Sequence, residues 1–195
     1  MEFNPFVIVY SILQFIAFLL VLVGTPLDMF RLQSREDFED RPCLTLWGLK
    51  PYCNSIVYSL TSDDRFSLCP VRSKRFRISQ RLAVVSVVVY CAAFAVGVIM
   101  LYCCLYLRWV CLGLNIVGFV TLATLCALMV LSYKTDDNPL CPKLRDDYNF
   151  GVGFSLFAAA LCLDLVSIAF LFIPWSHENV EGSSSHSKEG NSQEE

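Results

Sequence analysis

Four long runs, almost empty of charge, restrict this 195-residue chain more than any other feature. No Asp, Glu, Lys or Arg falls between residues 3 and 27; Arg108 stands alone between residues 82 and 133, and Asp164 alone between residues 149 and 176. The apolar spans cover about residues 6–23, 82–107, 110–133 and 150–175. A hydrocarbon core of ~30 Å takes about 20 helical residues at ~1.5 Å each, so every span reaches across, the longer three with tilt. Buried helices of a soluble protein are the competing reading, but four all-apolar helices would leave hardly any amphipathic surface for water. Only 17% of the residues are charged, against about a quarter in a soluble domain. The fold expected is an all-α transmembrane four-helix bundle, with residues 1–175 as one membrane domain. The first span has no basic n-region, and Gly24, Thr25, Pro26 and Leu27 make a poor cleavage site, so it reads as an uncleaved anchor. The Ser-, Gly- and Glu-rich residues 176–195 cannot bury enough apolar surface to fold, and read as a disordered tail.

Two unequal loops, 25–81 and 134–148, emerge on one side; Arg108 and Trp109 read as a tight turn between the second and third spans on the other. Counting Lys and Arg, the two loops point to the cytoplasm. The cysteines point the other way. Of ten, Cys43, Cys53, Cys69 and Cys141 lie in the two loops, an even number on one side that fits a disulfide framework in an oxidising compartment. Three pairings are open. Cys43–Cys53 closes a loop of about ten residues, and Cys69–Cys141 then ties the long loop to the short one; that is the pairing expected. No His lies near these thiols to complete a zinc site. Cys103, Cys104 and Cys111 cluster by the tight turn and are palmitoylation candidates, against the commoner role of small apolar helix residues.

Residues 43–53 read C-L-T-L-W-G-L-K-P-Y-C. Leu44 and Leu46 alternate with Thr45 and Trp47, a strand signal that Gly48 ends, and residues 55–61 form a second β-rich run. A small disulfide-tied sheet in the first loop follows, with Trp47 upon it. With four spans around it, this segment resembles the first-loop hallmark of the amastins, surface proteins of trypanosomatid parasites. Cys43, Thr45, Trp47, Gly48, Lys50 and Cys53 fit that hallmark position by position, and Tyr52 departs from it. V-G-T-P-L-D-M-F-R, L-R-W-V-C-L-G-L-N-I-V-G and C-P-K-L-R-D-D-Y look like delta-type members. Amastins in turn resemble claudins in architecture. The resemblance implies a plasma-membrane protein with extracellular loops and cytoplasmic termini, which overrules the charge count. The family is called surface glycoproteins, yet Asn54, Asn138 and Asn149 all fail the N-glycosylation sequon, so any glycan would be O-linked.

No catalytic constellation is visible, no cofactor is implied, and a net charge of −3 leaves no basic face for nucleic acid. The Asp pairs at 63–64, 136–137 and 146–147 read as solvated loop surface. The function expected is a non-enzymatic surface protein whose extracellular loops touch a host membrane or surface partner; the alternative is proton or ion transport, or modulation of a pore. Besides the bilayer, a second copy of the chain is a candidate partner. Asp164 separates the two. A charged carboxyl near the middle of a span is costly and marks function or packing. Gln14 matches its depth best, with Thr121 or Thr124 as alternatives. Small-residue pairs, Ala93 with Gly97 and Ala123 with Ala127, are expected to pack the second and third spans together.

Overall fold

The computed structural model describes residues 5–33, 42–102, 107–137 and 141–172. Cys103, Cys104 and the tail at 176–195 lie outside them. Four helices are long and apolar enough to cross a membrane: α1 (Pro5–Gly24), α3 (Pro70–Tyr102), α4 (Leu107–Lys134) and α5 (Val152–Phe172). A single turn of helix, α2 (Ser62–Arg65), precedes α3. The long helices pack in the cyclic order α1, α3, α4, α5.

Two boundaries differ from expectation for physical reasons. At 33 residues, α3 is about 50 Å long, well beyond a bilayer core, because helix propensity does not stop where hydropathy does. It begins at Pro70, a residue suited to the first helical position, so loop 25–81 is cut short and Arg72, Lys74, Arg75, Arg77 and Arg81 stand on a helix above the apolar run. Arg108 and Trp109 are not the turn: both lie in the first turn of α4. Both Nε and Nη2 of Arg108 donate to the Leu171 carbonyl, one of the last acceptors of α5, which a helix end leaves without an intrahelical donor.

One end of the bundle carries a five-stranded antiparallel sheet in the order β4-β3-β2-β1-β5. Its strands are β1 (Asp28–Leu32), β2 (Cys43–Thr45), β3 (Gly48–Lys50), β4 (Leu60–Thr61) and β5 (Tyr148–Phe150). The sheet is wider than the first-loop hairpin expected. β1 follows α1 directly, and β5 comes from the second loop and pairs Phe30 with Phe150. Gly48 does not end the strand signal but opens β3, and the run 55–61 supplies only Leu60–Thr61. The underside of the sheet joins the bundle in one core: Met29, Phe30, Leu44 and Leu46 are buried with Phe66, Phe76, Leu125, Met129 and Phe157. Phe30 stacks parallel to Tyr133, with centroids 6.0 Å apart, and also meets Phe76 and Phe150. Aromatic contact between loops and helix ends therefore seats the sheet.

Candidate functional site

The hairpin tip at 43–53 is built from one buried hydroxyl. Thr45 Oγ1 donates to the Gly48 carbonyl at 3.0 Å and accepts from the Trp47 and Gly48 amides at 3.1 and 3.2 Å. It thus satisfies the backbone groups that the tight turn leaves out of the ladder between β2 and β3. Gly48 must lack a side chain, because a Cβ there would run into the Leu60 carbonyl oxygen of β4. Cys43 and Cys53 are disulfide-bonded with Cα atoms 5.2 Å apart, which closes the hairpin. Lys50 lies over the Tyr58 ring at 5.2 Å. The tip is docked on α3: Gln80 Nε2 donates to the Leu46 carbonyl at 2.7 Å and to Ser62 Oγ at 2.8 Å. Trp47 is left half-exposed, 37%, over a groove formed with Arg77, Gln80, Arg81 and Val84.

The end of the tip and the stretch beyond it turn apolar side chains outward. Ile56 is 91% exposed, Val57 71%, Tyr52 50% and Leu60 43%. A turn in which the Ser55 hydroxyl accepts from the Val57 amide holds this segment.

The second loop is fastened to the top of α3. Cys69 is bonded to Cys141, with Cα atoms 6.0 Å apart. Arg72 is buried and donates to the carbonyls of Cys141 and Pro142. It pairs with Asp137 at 3.4 Å, and Arg75 pairs with the same carboxylate at 3.0 Å. Asp137 is therefore not solvated surface as expected; two guanidinium groups compensate its burial. Asp63 does lie at the surface, where hydrogen bonds from Ser73 and Arg77 hold its carboxyl below the usual range. Asp28, Cys43 and Cys53 bring a carboxylate and two sulfurs within 4.8 Å of one another, but the sulfurs are bonded to each other and offer no thiolate to a metal.

Inside the bundle, Asp164 is fully buried. Its partner is Tyr90, whose hydroxyl donates to Oδ2 at 3.0 Å, and not Gln14, Thr121 or Thr124. Tyr reaches across the bundle axis, whereas Thr121 is engaged by Ser86 and the Gly118 carbonyl, and Thr124 is exposed and bonds its own helix. Gln14 is buried with neither amide atom hydrogen-bonded. The small-residue expectation is corrected as well. A Cβ on Gly97 would meet the Tyr10 ring of α1 at 3.0 Å, so Gly97 faces α1. Ala127 is exposed, and the close approach of α4 to α3 falls at Gly118 against Tyr90. Cys111 is fully buried beside Tyr10 and Leu171, out of reach of acylation. The inward polar residues that sequence reasoning missed, Tyr10, Tyr90, Asn115 and Ser167, share one signal. Each falls on its own helix's run of buried positions spaced three and four residues apart, a heptad pattern.

The model of the amastin surface glycoproteins matches residues 15–171, which take in the second half of α1, all of α3 and α4, nearly all of α5, the hairpin and both disulfides. No curated protein matches the sequence.

Proposed function

The chain belongs to the amastin surface glycoproteins, and on that premise we propose that it is a non-enzymatic multi-pass protein that binds a host membrane or surface partner through its sheet. The single observation that carries this is the outward apolar stretch of Tyr52, Ile56, Val57 and Leu60. Apolar side chains gathered at a tip and turned away from the core mark a contact surface. The disulfides, Gln80 and the buried Thr45 brace the sheet that presents them, so little ordering entropy is lost on contact. The sheet then faces the extracellular side of the plasma membrane with both termini cytoplasmic, a placement supported by two disulfides at the sheet end.

The test replaces Ile56 and Val57 together by Asp. Neither side chain supports the core, so delivery to the surface stays normal. Each apolar group is worth about 1.5–3 kcal/mol when buried, so adhesion of the chain to host cells or phospholipid vesicles falls by tenfold or more. Adhesion equal to that of the parent would overturn the proposal. A second reading, proton or ion transport, is favoured by the buried Asp164, whose Oδ1 has no hydrogen-bond partner; it requires a flux across proteoliposomes that carry the purified chain.

A further inference from the structure

The inward faces of the four long helices can be set against one another level by level. On α1 the buried stripe runs Val7, Tyr10, Gln14, Ala17, Val21; on α3 it includes Tyr90, Ala93 and Gly97, on α4 Cys111, Asn115 and Gly118, and on α5 Phe157, Ala160, Asp164, Ser167 and Leu171. Three close approaches fix the register: Gly24 against Phe157, Gly97 against Tyr10, and Gly118 against Tyr90. With a rise of about 1.5 Å per residue, Gln14, Ala93, Asn115 and Ser167 fall on one level. Ala17, Tyr90, Gly118 and Asp164 fall on the next, about 5 Å nearer the sheet.

On these two levels the buried oxygens without a partner outnumber the nitrogens. The Tyr90 hydroxyl donates to Asp164 Oδ2 at 3.0 Å, and the Asn115 amide nitrogen gives one of its two hydrogens to the Tyr10 hydroxyl at 3.1 Å. Asp164 Oδ1, Asn115 Oδ1, Gln14 Oε1 and Ser167 Oγ are all buried without a hydrogen-bond partner; the one nitrogen in the same position is Gln14 Nε2. Gln14, Asp164 and Ser167 are 0% exposed and Asn115 1%. Among the described residues, the inward stripes carry no Lys, Arg or His at this depth. Buried polar atoms are almost always satisfied by protein, water or an ion. Beside the polar residues on these levels stand the small buried Ala17 and Ala93, while the Tyr90 ring fills the space at Gly118.

We infer that these two levels bind one alkali-metal cation, held by Asp164 Oδ1, the amide oxygens of Gln14 and Asn115, and the Ser167 hydroxyl. The donor set consists of hard oxygens from three helices, which suits a hard cation. One carboxylate balances one positive charge, which selects a monovalent ion over a divalent one. The site ties α1, α4 and α5 together at mid-bundle and does not depend on flux.

The test is the melting temperature of the purified full chain in nanodiscs, in chloride salts of lithium, sodium, potassium or choline at equal ionic strength. A ligand that binds only the folded state raises stability with the logarithm of its concentration above Kd. The expected result is a saturable rise with at least one alkali cation and none with choline. Ser167→Ala moves half-saturation to about fivefold higher concentration, and Asp164→Asn abolishes the rise. If Asp164→Asn does not fold, the wild-type series and Ser167→Ala still decide. Identical melting in all four salts means that buried water alone satisfies these atoms and overturns the site, as does an Asp164→Asn protein that keeps the cation response. Flux in proteoliposomes is read separately: a cation-stabilised chain without flux keeps the site and removes the transport reading.

Discussion

Gly48 shows how one residue in the first-loop hallmark is set by space alone. Its backbone angles are open to any residue, yet the Leu60 carbonyl occupies the place of a Cβ, and a backbone oxygen pinned in β4 cannot swing aside. Gly48→Ala should therefore lower stability by about 2 kcal/mol, read as a drop in melting temperature of the purified chain. Gly113, with no atom within 4 Å of an added Cβ, serves as the control: Gly113→Ala should be neutral or slightly stabilising because Ala is the better helix former. Thr45 is fixed by another cause. Its hydroxyl serves three backbone groups of the turn at once, which explains why a hydroxyl residue stands at a buried position where an aliphatic one would leave those groups unpaired.

Among the elements, the two disulfides differ in what they restrain. Cys43–Cys53 spans ten residues of a hairpin already closed by Thr45, whereas Cys69–Cys141 spans 72 and joins the start of α3 to the second loop. On a chain-entropy basis the shorter contributes about 2.5 kcal/mol and the longer about 4 kcal/mol. Replacing Cys69 and Cys141 by Ser should thus lower the melting temperature more than replacing Cys43 and Cys53, with Arg72 and Asp137 retaining part of the loop contact. Equal losses would place the restraint in native packing and not in the open chain. The reach of α3 beyond the bilayer is the element that brings these parts together. Its upper turns hold Arg72, Phe76 and Gln80, which grip the second loop, the aromatic core and the hairpin tip.

At the scale of the whole molecule, the basic loops and the disulfides point in opposite directions for its orientation in the membrane. The structure weakens the charge argument. Arg31, Arg72, Arg75 and Arg77 are bound by Asp28, Asp137 and Asp63 into the folded sheet end, and long folded segments cross a membrane largely regardless of their Lys and Arg. Our proposal predicts that an epitope tag inserted at the exposed Asn54 is labelled on intact cells, while a tag at the C-terminus is labelled only after permeabilisation. The reverse pattern would place the disulfides in a reducing compartment and remove the adhesion proposal with them.

The number of spans and the hairpin hallmark were legible in the sequence because hydropathy and cysteine spacing are local properties of consecutive residues. Asp164 stood out for the same reason, a lone charge in an apolar run. Its partner did not, since Tyr90 lies 74 residues away and only helix register brings the two together. Strands β1 and β5 escaped because each has few residues and gains its meaning from the other, Phe30 against Phe150, which are far apart in sequence. Gly97 likewise could be read as a small residue for close packing, but whether α1 or α4 fills the space beside it depends on how α3 is rotated. Hydropathy could not show that rotation, because in a bilayer the outward faces are as apolar as the inward ones; only the packed helices buried Gln14 and Ser167 and brought Asn115 to Tyr10.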